Sequence, residues 1–163
     1  MLPVSHRAVA WADSQVGVRE AGRNRGRQVE RYQEAAGLGT GGGFAWCASF
    51  VYWCMVSAGA PPDRLPVRGQ CAAVRNWVSW AKGRGRLSHS PVRGSLFFWL
   101  DQHDRGHIGF CLGPSVFGVF RTIEGNTDGE AGSREGDGVY KRTRSIRLLK
   151  RFPQWGFINL NGL

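Results

Sequence analysis

The first part of the chain repeats its apolar residues with a helical period. Val9, Ala12 and Val16 share one face of a segment that predicts a helix from 5 to about 16, with Ser5 as its cap. A polar, Gly-containing connection follows over 19–27. A short second helix is predicted over 29–36, stopped by Gly37. The run Gly39-Thr40-Gly41-Gly42-Gly43 reads as a loop and leads into 44–56, which is apolar on nearly every face. A helix apolar all round is a central, buried one. Gly59 and Pro61-Pro62 end it. Residues 70–81 form an amphipathic helix with Val74, Trp77, Val78 and Ala81 on one side. From Ser90 onward the runs become short, β-branched or aromatic, and punctuated by Gly. Strands are predicted over 95–100, 107–112, 116–123, 139–146 and 156–160. Helices first and strands after predict an α+β fold, with N-terminal helices packed on a C-terminal antiparallel β-sheet.

At 163 residues and 18.0 kDa the chain has the length of one domain, spanning 1–163. No apolar stretch is long enough to cross a membrane as a helix. Lys plus Arg is 22 against 12 acids, a net charge of +10. Such a surface is attracted to polyanions: nucleic acid, anionic lipid or an anionic cell wall. Charge alone does not choose among them. The nucleic-acid reading would place Arg84, Arg86, Arg142, Arg144 and Arg147 on phosphates, yet no recognised nucleic-acid motif accompanies them. The cysteines are Cys47, Cys54, Cys71 and Cys111, with no CxxC pair, so they do not read as a zinc ribbon. Cys47 and Cys54 are too far apart for a disulfide if they share a helix, and other pairings stay open. The N-terminus lacks a basic segment followed by an apolar run, so the expectation is synthesis in the cytoplasm without a signal peptide.

Chemistry concentrates on four positions. Cys47 follows the Gly-rich loop and opens the most apolar helix. A thiol at a helix N-terminus feels the positive end of the macrodipole, which favours thiolate. The free N–H groups there can receive an oxyanion. His107, between Gly106 and Ile108-Gly109, is the candidate base, with the glycines expected to leave room for substrate and nucleophile. Glu124 ends the next strand and is expected to face His107 across the pair, fixing its tautomer. Asn126 has the same parity as Glu124 and would share its face if the strand continues. His103 and His107 are four apart, but the intervening Asp104 and Gly106 speak against the helix a metal pair would need. The acidic segment 128–137 does not fit EF-hand spacing and reads as a solvated loop. No cofactor and no metal are expected.

Four blocks, in order, resemble the CHAP family of cysteine, histidine-dependent amidohydrolases/peptidases. They are Trp46-Cys47-Ala48-Ser49-Phe50-Val51, Pro91-Val92-Arg93-Gly94-Ser95-Leu96-Phe97-Phe98-Trp99, Gly106-His107-Ile108-Gly109 and Glu124-Gly125-Asn126-Thr127. Ser95 stands where many relatives carry Asp. The resemblance implies a papain-like fold and cleavage of peptidoglycan amide bonds, as N-acetylmuramoyl-L-alanine amidase or stem-peptide endopeptidase. It implies Cys47 as nucleophile, His107 as base, Glu124 as orienter and Asn126 as an auxiliary polar residue. Two settings fit a wall enzyme without a leader. One is a phage endolysin released through a membrane pore. The other is a secreted antibacterial effector, whose partner would be a cognate immunity protein. A cytoplasmic thiol amidase acting on a small peptide conjugate would use the same residues.

Overall fold

A computed structural model describes residues 2–127 and 136–163. Helix α1 (Val4–Ser14) starts on Pro3, whose carbonyl accepts from the N–H of His6 and Arg7 at 3.0 and 3.1 Å. Ser5 is therefore not the cap. It is buried in the first turn, and Val16 lies beyond the helix and exposed. Proline takes the cap position here because its extended backbone turns the chain into the helix (φ −53°, ψ 149°). Helix α2 (Arg27–Ala35) stops where expected, at Gly37, with φ +87°.

Helix α3 (Cys47–Ser57) is the central element. Phe50, Val51, Cys54 and Met55 have no solvent exposure. Each such apolar side chain contributes about 1.5–3 kcal/mol by leaving water. The helix begins at Cys47 rather than at Phe44, because Phe44 points to solvent and Trp46 takes the cap. Trp46 is pinned there: its indole N–H donates to Glu20 Oε1 at 2.7 Å and its ring stacks on Tyr32. A 3-10 turn (Pro62–Arg64) leads to α4 (Val74–Lys82), which begins four residues later than its periodicity predicts. Residues 70–73 form turns instead, and the Cys71 carbonyl accepts the Trp77 indole N–H at 2.7 Å. The predicted face of Val74, Trp77, Val78 and Ala81 is buried.

Six antiparallel strands form one sheet: β1 (Leu87–Ser88), β2 (Leu96–Leu100), β3 (Gly106–Cys111), β4 (Val119–Thr127), β5 (Gly138–Ser145) and β6 (Gln154–Ile158). Their order is β1-β6-β2-β3-β4-β5. The short β1 and the one-turn α5 (Ile146–Leu149) carry too few residues to show a period. The segment 116–123 does not run as one strand: the chain reverses at Phe117 and Gly118, and β4 begins at Val119. The result is an α+β, papain-like arrangement of helices and antiparallel sheet.

The sheet has two apolar faces. Leu96, Phe98, Leu100, Ile108, Phe110, Ile123 and Ile158 join the helices in the main core. Phe97, Trp99, Cys111, Phe120 and Phe157 form a smaller cluster on the other face, closed by Leu149, Phe152 and Trp155. The alternation explains why β2 reads as a continuous apolar run: it is buried on both sides.

Candidate active site

Cys47 is the first residue of α3, and the N–H groups of the first turn have no intrahelical acceptor. It is 7 % exposed. The other three thiols are held in the neutral form. Burial pushes Cys71 to about 11 and Cys111 to about 12, and raises Cys54 well above the ordinary thiol range. All four cysteines are free.

His107 lies on β3 among Phe97, Trp99 and Glu124, on the face of the smaller cluster. Its Nε2–H donates to Glu124 Oε2 at 2.8 Å, the carboxylate being an acceptor only. The other ring nitrogen, Nδ1, is buried and has no partner within ordinary hydrogen-bond geometry. The Cys47 thiol is near enough to act on the ring, without the geometry of a formed hydrogen bond. Burial alone would lower the imidazole, but Cys47 and Glu124 outweigh it and raise His107 to about 9.

The two residues do not stand directly opposite. The β3–β4 ladder pairs Phe110 with Ile123 and Cys111 with Thr122, so its register sets Gly109 across from Glu124. Glu124 meets His107 on the diagonal, a neighbour still within reach of a long side chain. Gly109 makes that possible: a Cβ there would lie 2.8 Å from Glu124 Cγ and 2.9 Å from Phe97 Cε1. Gly106 is required by the neighbouring strand, since its Cβ would lie 1.9 Å from the Trp99 carbonyl oxygen. The glycines around His107 thus make room for the carboxylate and for β2, not for substrate.

Glu124 has no solvent exposure and is held from three sides. The Thr122 hydroxyl donates to Oε1 at 2.5 Å. Arg144, on β5, donates Nε–H to Oε1 at 2.8 Å and a second N–H to Oε2. His107 is the third partner. Burial would raise this carboxyl, but Arg144 and then His107 hold it down at about 2. Arg144 and Thr122 are the members that sequence reading misses. The faint signal is parity: 120, 122 and 124 alternate on β4, and β5 sets Arg144 opposite Phe120 and Arg142 opposite Thr122.

Asn126 is buried but does not reach the imidazole. The ladder shifts register between Glu124 and Thr127, and Asn126 takes φ +54°, so the parity expectation fails at a bulge. Oriented to satisfy both its ends, its amide accepts from Trp46 N–H at 3.2 Å and donates to Gly136 O at 2.9 Å. Gly125 lies within the bulge against α3: a Cβ would lie 2.7 Å from Phe50 Cγ and 2.8 Å from Trp46 Cζ3. The Glu-Gly-Asn run therefore has three jobs. Glu124 holds the imidazole, Gly125 lets α3 approach, and Asn126 ties down the residue before Cys47.

His103 is exposed in the β2–β3 turn, apart from buried His107. Among the described residues, no group of three His, Cys, Asp or Glu could hold a metal, and no helix is long and apolar enough to cross a membrane. Most of the segment considered as a cation loop, 128–135, lies outside the described residues, and Asp137 binds Arg19 and the Tyr140 hydroxyl. Arg144 is committed to Glu124 and Arg86 to the carbonyls of Asn159 and Asn161, which takes two arginines out of the nucleic-acid reading.

The model of the CHAP domain family matches residues 39–126, just over half of the chain. That span runs from the Gly-rich loop to Asn126 and stops short of Arg144. No curated protein and no solved structure gives a match.

Proposed function

The chain belongs to the CHAP domain family, hydrolases of amidase/peptidase type, and we propose that it cleaves peptidoglycan amide bonds through Cys47, His107 and Glu124. One observation carries the proposal: a buried histidine held by a buried carboxylate, beside a thiol at the start of a helix. A structural histidine needs no such carboxylate, and a structural thiol needs no such histidine.

The mechanism follows from the parts. Nδ1 of His107 takes the proton of the Cys47 thiol, and the thiolate attacks the substrate carbonyl carbon. The carbonyl electrons move to oxygen, and the oxyanion is received by N–H groups of the first turn of α3. The tetrahedral species collapses, and the imidazolium gives its proton to the leaving amine. Neutral His107 then activates water, which attacks the thioester carbonyl and releases the acid and the thiolate. Glu124 stays ionised throughout and holds the imidazolium that forms twice in the cycle. No step asks for a metal.

Peptidoglycan is supported by the family and by the net charge of +10, which favours an anionic polymer. In this reading the enzyme acts at the wall after pore release or contact-dependent secretion, and in the second setting an immunity protein would occlude Cys47. The test is mass spectrometry of fragments released from purified sacculi by wild type and by Cys47→Ala. Release by wild type alone supports the reading, and the fragment masses name the bond. Release by both, or by neither, overturns it.

A further inference from the structure

The far end of the sheet carries a feature that hydrolysis does not use. Val116 and Val119 exchange both backbone hydrogen bonds, at 2.8 and 3.0 Å, and close a two-residue hairpin over Phe117 and Gly118. Both central residues have positive φ, +50° and +76°. A tight turn of this kind favours Asn-Gly, because a bulky side chain is strained in the left-handed region. Here the strained position holds a phenylalanine whose side chain is fully exposed. An aromatic residue that meets both costs, strain and exposure, is a candidate for function.

Its surroundings are apolar and basic. Val116 and Val119 are exposed beside it, and the start of α5 is tied to the turn through Ile146 N–H to Gly118 O at 2.9 Å. Arg93 and Arg121 line one groove with Val116 and Val119, and Arg147 follows Ile146 on α5. The segments 64–100, 105–123 and 138–163 contain no Asp or Glu. Acids of the sheet lie at its other end: Asp101 and Asp104 in the β2–β3 turn, Glu124 near the end of β4, and Asp137 before β5. Asp101, Asp137 and Glu124 are each paired there with an arginine, whereas the Phe117 end is basic and apolar with no carboxylate of the sheet beside it. The two ends are roughly 20 Å apart along β4.

We propose that the Phe117 hairpin is a membrane-contact finger: Phe117, Val116 and Val119 enter the interface of an anionic lipid bilayer while Arg93, Arg121 and Arg147 lie on its headgroups. A lipid surface is the occupant because it supplies negative charge and an apolar phase together. A charged polymer supplies only the first. Contact at this end leaves the Cys47 end facing away from the bilayer. The inference does not rest on the proposed hydrolysis, and its readout needs no turnover.

The test is sedimentation of the full chain with vesicles of phosphatidylcholine, with and without 30 % phosphatidylglycerol, at low and high salt, an anionic fraction on the order of that in natural charged leaflets. Wild type, Phe117→Asn and Phe117→Leu are compared. Expected is binding to the anionic vesicles that weakens with salt, falls at least tenfold in Phe117→Asn and stays within threefold in Phe117→Leu. Asn suits the left-handed turn, so its melting temperature should equal or exceed that of wild type, which separates lost contact from lost folding. Equal binding by wild type and Phe117→Asn would show attraction by charge alone and overturn the finger. Equal binding to neutral vesicles would overturn the role of the arginines. No vesicle binding would overturn the proposal and leave a protein partner as the occupant to seek.

Discussion

Arg144→Gln isolates the least expected member of the site. The substitution removes two N–H donors from a carboxylate that has no solvent exposure. Stranding one partner of a buried ion pair costs about 3–5 kcal/mol. Thr122 and His107 continue to hold Glu124, and the Arg144 side chain is itself 14 % exposed, so the lower bound applies, about 3 kcal/mol. For a chain of this size that lowers the melting temperature by roughly 6–12 °C. The pH dependence gives a sharper readout. Glu124 is held at about 2 against an ordinary 4.5, so its contribution to stability is complete above 4.5 and is lost as pH falls towards 2. Without Arg144, burial pushes the carboxyl back up towards 4.5, so the acid loss is smaller and is complete at a higher pH. Arg144→Lys keeps the charge but not the two-armed contact, and should fall between. The assay is urea unfolding at neutral pH and in steps towards the acid limit. A loss under about 1 kcal/mol, the size of a surface pair, with an unchanged acid limb would refute the reasoning.

Other substitutions separate the neighbouring roles. Gly109→Ala sets a Cβ 2.8 Å from Glu124 Cγ, so it should cost about 1–3 kcal/mol of stability and at least tenfold of fragment release from sacculi. Asn126→Ala loses the bonds to Trp46 and Gly136 and strains a residue at φ +54°, for about 2–4 kcal/mol. Asn126→Gly should regain about 1 kcal/mol of that, and the NMR titration of His107 should stay where it is in both, because Asn126 braces α3 and not the ring. His107 is raised from 6.5 to about 9, so its contribution is full below 6.5 and is lost as pH rises through 9. In Cys47→Ala protein, where that thiol is gone, the Glu124 share of this alkaline loss should remain, and adding Glu124→Gln should abolish it in urea titrations.

Much of the site is legible in the chain because its members sit at ends of elements, where sequence leaves marks. Cys47 follows a Gly-rich loop and opens an apolar run, and Glu124-Gly125-Asn126 closes a strand. Their meeting is not legible. It depends on a diagonal reach across β3 and β4 that Gly109 permits, and on a bulge that breaks the parity of Asn126. In the sequence Arg144 reads only as one of five arginines available to phosphates, because what commits it to Glu124 is the β4–β5 register. The reversal at Phe117 escaped for another reason: Val-Phe-Gly-Val has the composition of a strand, and nothing in it announces a turn that strains an aromatic residue.

The central claim is that one thiol of four does the chemistry. Treating the protein with iodoacetamide at less than one equivalent and mapping the labelled peptides tests it directly. The account predicts a single label on Cys47, with fragment release from sacculi falling in proportion to that label, while Cys54, Cys71 and Cys111 stay unmodified. Labelling spread over the buried cysteines, or undiminished release from protein fully alkylated at Cys47, would contradict it.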